Sequence, residues 1–242
     1  MRRRRLAGAL TALALATGSA LVAPTTAFAD DYCDYEDSAQ PEVTGFAPST
    51  IAVGRTPPLV KFSVRASDEC GIEDWTMLST DKVLVFAYKQ NPSETLYTFD
   101  NDDAGSTYMD VSATDPAFNT TTKRFTFKVL RRTQWVGFNA SPEPVKKGGL
   151  VRVTGRLQRV DWERDAYLAY GAKSQRAKVQ FKAKGTSTYT TVKTVTLNSK
   201  SAVDVKIKAS GAQAKDGTYR LVFAGNGVSA ATTSAGDFVD VR

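Results

Sequence analysis

The side chains with the clearest chemistry are carboxylates in two predicted loops. Asp68 and Glu69 follow one predicted strand, and Asp115 and Asn119 follow another. In an immunoglobulin-like sandwich these two loops lie at the same end. Carboxylate and amide oxygens are ligands of calcium, which extracellular modules bind weakly. The predicted loop positions therefore make these four residues candidate calcium ligands. A solvated acidic surface is the favoured interpretation, because the sequence contains no EF-hand loop.

Catalysis is not predicted. The sequence contains no histidine, the side chain that most often acts as a general base near neutral pH. Ser-His-Asp and Cys-His nucleophile arrangements are therefore excluded. A hydrolase that uses the carboxylate of Asp68 or Asp115 is the opposing hypothesis, but neither has a visible acid–base partner with an apolar shelter. We predict no catalytic residue and no cofactor other than calcium.

A second candidate set lies in the segment from Val160 to Gly171. A loop of this length often binds a ligand or packs against another part of the molecule. Aromatic rings here would stack on sugars if the loop bound a glycan, whereas burial between two domains would make it an interface. The sequence favours the interface. The candidate residues are Arg159, Trp162, Arg164, Tyr167 and Tyr170.

The two cysteines, Cys33 and Cys70, predict a disulfide. Oxidising compartments outside the cytoplasm favour such pairs, and the amino terminus indicates export. A redox-active pair is the alternative.

A secretory signal peptide is predicted over residues 1–29. Arg2 to Arg5 form a positive head, an apolar run follows from Leu6 to Val22, and Ala27-Phe28-Ala29 supplies a small-residue cleavage site. No later segment is apolar enough to span a bilayer. We therefore expect a secreted, extracellular protein.

Strands must position all of these residues, because period-two alternation dominates the rest of the chain. About seven short strands per ~100 residues is typical of an immunoglobulin-like sandwich. We predict an all-β fold with two tandem immunoglobulin-like domains, residues 30–131 and 132–242. An Asp and a Gly precede both Tyr108 and Tyr219, so we expect each tyrosine hydroxyl to bond to upstream backbone at a corner.

Charge divides the chain unevenly. Residues 30–131 carry 17 Asp and Glu against 9 Lys and Arg, a net charge of −8, whereas residues 132–242 carry 8 against 19, a net charge of +11. Such a division concerns partners rather than fold. The lysines of the second half alternate with apolar residues, which predicts a solvated strand face that an anionic envelope polymer or glycan would also fit. A secreted protein is a further partner class. Nucleic acid is not expected as a partner. We expect the protein to be a monomer.

Residues 138–242 resemble the carboxyl-terminal domains of secreted actinobacterial proteins of unknown function. The resemblance rests on the segments 139–148, 153–157, 189–195 and 236–241. It implies no defined activity, although some members of that family carry a loose calcium-binding label. The first domain is similar to a bacterial immunoglobulin-like repeat through residues 111–121, with Phe118 where the usual repeat has glycine.

Together these patterns predict an extracellular, non-enzymatic binding or structural module that associates with the cell envelope. A secreted inhibitor that acts through an exposed loop is the alternative.

Overall fold

A computed structural model describes residues 39–98 and 100–242. The predicted signal peptide and Cys33 lie outside these residues. Cys70 is within them, and none of the described cysteines is free. The Cys33–Cys70 pairing itself stays a prediction. The regular secondary structure of the described chain consists of strands and two single-turn 3₁₀ helices at Asn101–Asp103 and Gly211–Ala214, which confirms the predicted all-β fold class.

The strands of the first half, which runs to residue 131, are short except for the last two. They are β1 Glu42–Ala47, β2 Thr50–Val53, β3 Leu59–Lys61, β4 Ser63–Ser67, β5 Asp74–Ser79, β6 Val83–Ala87, β7 Ser93–Thr95, β8 Tyr97–Thr98, β9 Gly105–Thr114 and β10 Thr120–Arg131.

The second half, from residue 132 onward, begins with two long strands. Its strands are β11 Thr133–Ser141, β12 Leu150–Asp161, β13 Ala166–Ala169, β14 Arg176–Ala183, β15 Thr190–Thr196, β16 Ala202–Lys208, β17 Gly217–Phe223, β18 Thr232–Thr233 and β19 Asp237–Val239.

The first half is built on a sheet with the order β2-β10-β9-β5-β6-β8. All neighbours in it are antiparallel except β2 and β10, which run parallel. Two smaller antiparallel pairs, β1–β4 and β3–β7, form the other layer. Valine, phenylalanine and methionine side chains from both layers make one buried core, with Phe62, Met77, Met109 and Phe127 at most 1% exposed.

In the second half, β12 pairs with β11 along one edge and with both β16 and β13 along the other. The facing sheet has the order β15-β14-β17-β18, with β19 also paired to β17. Leu157, Phe181, Tyr219 and Leu221 belong to the core between these sheets. Each half thus has its own hydrophobic core, although both lie in one compact unit. The division into domains at residue 131 stays a prediction.

The alternating stretch from Val60 to Ala66 is divided between two strands: β3 pairs with β7, β4 pairs with β1, and Phe62 lies between them. Two local expectations differ from the structure. The segment 160–171 is not a long loop but the end of the β12–β13 hairpin. The Tyr219 hydroxyl is buried without a hydrogen-bond partner in the described residues, so it makes no corner bond.

Candidate functional site

The most prominent exposed feature is an apolar surface on the large sheet of the first half. In β6, Val83, Val85 and Ala87 are buried in the core, so Leu84 and Phe86 face solvent together with Tyr88 just after the strand. We name this surface the apolar sheet face. It consists of Leu78, Leu84, Phe86, Tyr88 and Tyr97.

Strand register brings these five side chains together. Leu78 of β5 lies opposite Phe86 of β6, and Leu84 lies opposite Tyr97 of β8. The rings of Phe86 and Tyr88 meet edge to face with their centroids 4.5 Å apart. Tyr88 is 72% exposed. Apolar residues that adjoin in this way, rather than singly, mark interaction surfaces on soluble proteins.

A polar rim borders the apolar sheet face on β9 and β10. Asp110 lies opposite Leu78 and accepts two hydrogen bonds from Arg124, each 2.7 Å long. The guanidinium carbon of Arg124 also lies 3.8 Å from the centroid of the Tyr108 ring. The hydrogen bond from Arg124 lowers the pKa of the Asp110 carboxyl. The rim is therefore an ion pair already satisfied within the protein.

The predicted calcium ligands do lie on loops at one end of the first half. The Glu73 amide donates to the Thr114 carbonyl at 2.8 Å, and Asp74 lies opposite Thr114, so the loops after β4 and β9 leave the same end. Asp115 is fully buried. Its carboxylate accepts hydrogen bonds from the Asn119 amide at 2.8 Å and from Asn119 Nδ2 at 3.0 Å. These two residues thus fasten the β9–β10 turn.

Asp68 and Glu69 have more coordinating capacity. Asp68 Oδ1 accepts from the Cys70 amide at 2.8 Å, while its Oδ2 is buried and has no hydrogen-bond partner in the described residues. Glu69 is exposed and accepts from the Ala39 amide at 3.0 Å. No group of three or more Asp, Glu, Cys or His placed to hold a metal ion occurs in 39–98 and 100–242. Asp68 is the carboxylate that a cation would engage first.

The tip of the β9–β10 turn presents an aromatic ring to solvent. Phe118 is 85% exposed and has a φ of 65°, in the left-handed region that favours glycine. Its amide donates to the Asp115 carbonyl at 3.1 Å. The usual glycine at this position of the resembling repeat is explained by this backbone conformation.

The aromatic candidates of the second half lie at the junction with the first half. Trp162 is half-buried and packs against the core of the first half, and its amide donates to Asn101 Oδ1 at 3.1 Å. Asn101 in turn donates its amide to Glu163 Oε1 at 3.2 Å. The position of Trp162 is that of an interface residue.

Arg159 and Arg164 both have partners within the second half. Arg159 donates to Ser229 Oγ at 3.0 Å, and its guanidinium carbon lies 3.9 Å from the Tyr170 ring centroid. Tyr170 accepts hydrogen bonds from Ser229 and from Asn226. Arg164 pairs with Asp161 at 3.2 Å. These residues stabilise the second half's side of the junction.

Tyr167 lines a shallow pocket between the halves together with Gly54, Arg132 and an ion pair. The pair joins Arg55 of the first half to Asp165 of the second through hydrogen bonds of 3.0 and 2.9 Å. The hydrogen bond from Arg55 lowers the pKa of Asp165.

Sequence reasoning missed two features. The apolar sheet face was hidden because residues 83–88 are apolar at five of six positions, so alternation could not show which side faces solvent. Arg131 is the last residue of the predicted first domain, yet it is 7% exposed and its Nε donates to the Val160 carbonyl at 2.8 Å. Two adjacent arginines looked solvated, and no local pattern distinguished the buried one.

No protein-family model and no curated protein matches this chain. Several solved structures are similar to it at low identity. The fibronectin(III)-like modules of CbhA from Clostridium thermocellum are 10% identical, with 84% of this chain and 93% of that chain covered and a TM-score of 0.38. Murine CEACAM1b is 14% identical, with coverages of 84% and 100% and a TM-score of 0.35. The eight amino-terminal Ig domains of Down Syndrome Cell Adhesion Molecule are 10% identical, with a TM-score of 0.39, and this chain covers 24% of that structure and 84% of itself.

The described residues contain no helix that is long and apolar enough to cross a bilayer.

Proposed function

We propose that this protein is an extracellular, non-enzymatic binding module that docks a protein partner on the apolar sheet face. The observation that carries the proposal is the side-by-side exposure of Leu78, Leu84, Phe86, Tyr88 and Tyr97 on one sheet surface. Aromatic side chains at such a position supply large contact areas, and burying them on association is favourable by about 25 cal/mol per Å² of apolar surface.

A protein fits this surface better than a sugar does. Carbohydrate sites combine aromatic rings with polar groups that bond sugar hydroxyls, whereas three of the five side chains here, Leu78, Leu84 and Phe86, have no polar atom. The charges that border this face on β9 and β10, Asp110 and Arg124, already neutralise each other. The expected partner therefore presents an uncharged apolar patch with polar residues around it.

Capture from isolated cell envelope and culture proteins tests this function. The wild-type chain is compared with the double variant Phe86→Ser, Tyr88→Ser and with Leu150→Ser, which removes an exposed apolar side chain of the second half. We expect the double variant to lose at least about tenfold of the captured partner, because both residues would be central to the interface. Leu150→Ser should capture as the wild type does.

Equal capture by the double variant would sink the proposal, as would glycan-array binding in the absence of any protein partner. Melting temperatures of the three proteins show that the variants are folded. The mutated side chains are exposed, so little loss of stability is expected.

Export and the disulfide belong to the same proposal. The sequence of residues 1–29 supports secretion, and cleavage would leave Asp30 as the first residue. Mass spectrometry of unreduced protein from the medium should show that amino terminus and no alkylatable thiol at Cys33 or Cys70. An uncleaved chain or two free thiols would contradict it.

Weak calcium binding is a further element of the proposal, supported by the buried Oδ2 of Asp68, which has no hydrogen-bond partner among the described residues. Millimolar calcium should raise the melting temperature, because a ligand that binds only the folded state stabilises it. Asp68→Asn should abolish the shift. A shift that persists in this variant, or none in the wild type, would leave Asp68 and Glu69 without a calcium role and Asp115 and Asn119 as residues that only fasten the turn.

An inhibitor is the second candidate function, favoured by the ring of Phe118 at the tip of a turn fastened by Asp115 and Asn119. A rigid loop that presents one large apolar side chain fits a deep specificity pocket. Inhibition of secreted proteases by the wild type but not by Phe118→Gly would establish this function.

A further inference from the structure

One face of the second half carries cations in a regular row. In β14, Ala177, Val179 and Phe181 are buried, so Arg176, Lys178, Gln180 and Lys182 point away from the core. In the neighbouring β17, Tyr219 and Leu221 are buried and Arg220 points outward. Arg220 lies opposite Gln180 in the strand register.

The four cations therefore follow one line along the sheet, in the order Arg176, Lys178, Arg220, Lys182. We name them the cationic row. A strand rises about 3.3–3.4 Å per residue, so successive members advance by roughly 7 Å and the row extends over roughly 20 Å. Glutamine occupies the one position of β14 where a lysine would stand directly beside Arg220.

No carboxylate interrupts this face. The sequences of β14, β15 and β17 contain neither Asp nor Glu. Asp237 of β19 lies opposite the buried Tyr219 and accepts a hydrogen bond from the Ala140 amide, on the core side. Within the described chain, none of the four cations forms a salt bridge, although the arginines elsewhere on the strands commonly do.

Neighbouring side chains hold the row in place. Arg220 Nε donates to Gln180 Oε1 at 2.8 Å, and the guanidinium carbon lies 3.7 Å from the centroid of the Tyr189 ring. Lys182 Nζ approaches the same ring at 5.2 Å. Arg220 thus uses one nitrogen within the protein, while its two Nη groups make no hydrogen bond to described residues.

We propose that the cationic row binds a linear anionic carbohydrate or polyol polymer that carries one phosphate or carboxylate per repeat. A periodic line of unpaired cations complements a periodic line of anions, and charge complementarity of this kind is the main source of affinity for a polyanion. Thr191 and Thr194 lie beside the row on β15, opposite Gln180 and Lys178, and supply hydroxyls for the polymer's own hydroxyl groups.

Single-stranded nucleic acid fits this face less well. Proteins that bind it stack successive bases on open aromatic rings. Here one face of Tyr189 is covered by Arg220, and Phe238, an exposed ring of β19, has Lys184 Nζ 5.8 Å from its centroid. The site is separate from the apolar sheet face, because the two lie on different halves. It stands or falls independently of the proposed protein partner.

Titration of the full secreted chain with fluorescent poly(glycerol phosphate) tests the proposal. Neutral dextran and a single-stranded oligonucleotide are the comparison probes. The row variant is Lys178→Gln with Lys182→Gln. Its control is Lys206→Gln with Lys208→Gln, which removes the same charge from exposed positions of β16 on the other sheet.

The row variant should bind poly(glycerol phosphate) about tenfold more weakly and with a shallower salt dependence, because each lost contact removes about one released counterion. The control should stay within about twofold of the wild type, since distant charges are screened at physiological salt. Both variants should keep the wild-type melting temperature.

Equal weakening in both variants would show a general charge effect and overturn the site. Absence of binding by the wild type would overturn it as well. Binding of the oligonucleotide as tightly as poly(glycerol phosphate), with the same loss in the row variant, would overturn the polymer class.

Discussion

The buried hydroxyl of Tyr219 alters the pKa of this side chain. Its ring lies in the core of the second half, 4.9 Å from the Phe181 ring, and its hydroxyl has no hydrogen-bond partner among the described residues. Burial raises the pKa of this phenol from 10.0 to about 12. A buried hydroxyl without a partner loses its hydrogen bonds to water and forms none within the protein, which destabilises the folded state.

We therefore predict that Tyr219→Phe raises the free energy of unfolding by about 1 kcal/mol at neutral pH. Between pH 10 and 12 the unfolded chain loses the phenolic proton and the folded chain keeps it, so the wild type loses stability as pH rises through this range. The variant should lack this contribution. Urea unfolding at pH 7 and at pH 11 measures both effects, with the exposed Tyr97→Phe as control. A destabilised Tyr219→Phe protein would mean that the hydroxyl is satisfied.

The same residue shows where a sequence repeat misleads. Gly105 and Gly217 both open a strand at a buried position, but Tyr108 is three residues after its glycine and Tyr219 is two. Side chains alternate between faces, so this difference of one residue places Tyr108 on the solvent side and Tyr219 in the core. The expectation that the two tyrosines are equivalent was wrong, because matching residue types ignored register.

At the scale of elements, the β9–β10 hairpin carries local strain at its tip. Phe118 adopts a φ of 65° and is 85% exposed, so the ring offers no packing that would offset the backbone conformation. The left-handed region costs a non-glycine residue roughly 1–2 kcal/mol. The loop is held closed by Asp115, whose carboxylate bonds Asn119.

Phe118→Gly should raise the free energy of unfolding by roughly 0.5–1 kcal/mol, which is the relieved strain less the entropy that glycine adds to the unfolded chain. Asp115→Ala, by contrast, should destabilise, because it breaks the bonds that close the turn. Chemical denaturation of the two variants beside the wild type separates these effects. If Phe118→Gly is less stable than the wild type, the exposed ring must have a packing partner. The hypothesis that the backbone of Phe118 is strained without compensation would then be wrong.

The β12–β13 hairpin explains why the second candidate set was only partly predictable. A run of Asp, Trp, Glu, Arg and Asp at 161–165 reads as an irregular loop, and it does form the turn. The residues on either side, however, continue the strands, with Val160 opposite Tyr167 and Asp161 opposite Ala166. Cross-strand pairing over a distance of several residues cannot be derived from local alternation. The expectation that Trp162 is an interface residue rather than a ligand contact rested on topology and stays a prediction, although Trp162 does pack against the first core.

At the scale of the molecule, the charge division is visible in the sequence, but the joint between the halves is not. Composition predicted an acidic first half and a basic second half, and the cationic row lies in the latter. The joint instead depends on a buried arginine. Arg131 has its amide bonded to the Val228 carbonyl and its own carbonyl bonded to the Ala230 amide. Burial and the nearby charge of Arg159 lower its pKa, and Asp161 lies 3.7 Å from its Nη2.

Asp161 of the second half contributes to the same joint between the halves. Burial alone would raise its pKa, but hydrogen bonds involving Asn101 and Arg164, together with the charges of Arg164 and Arg131, lower it overall. Because Asn101 belongs to the first half and Arg164 to the second, this carboxylate connects both. The joint therefore combines a buried charge network with the apolar contact of Trp162, and neither part belongs to the centre of either core.

This arrangement predicts that the halves unfold together and that Arg131 couples them. Calorimetry of the wild type should show one transition, whereas Arg131→Met should show two, because the bond to the Val160 carbonyl and the pairing with Asp161 are lost while both cores stay intact. The control Arg124→Met makes the same substitution at an exposed ion pair, the one with Asp110, and this variant should retain the single transition. Two transitions in the wild type, or one in Arg131→Met, would show that the halves are not coupled through this residue. If the wild type has one transition and Arg131→Met also has one, the contact of Trp162 with the first core is the next element to vary, and Trp162→Ala should then give two transitions.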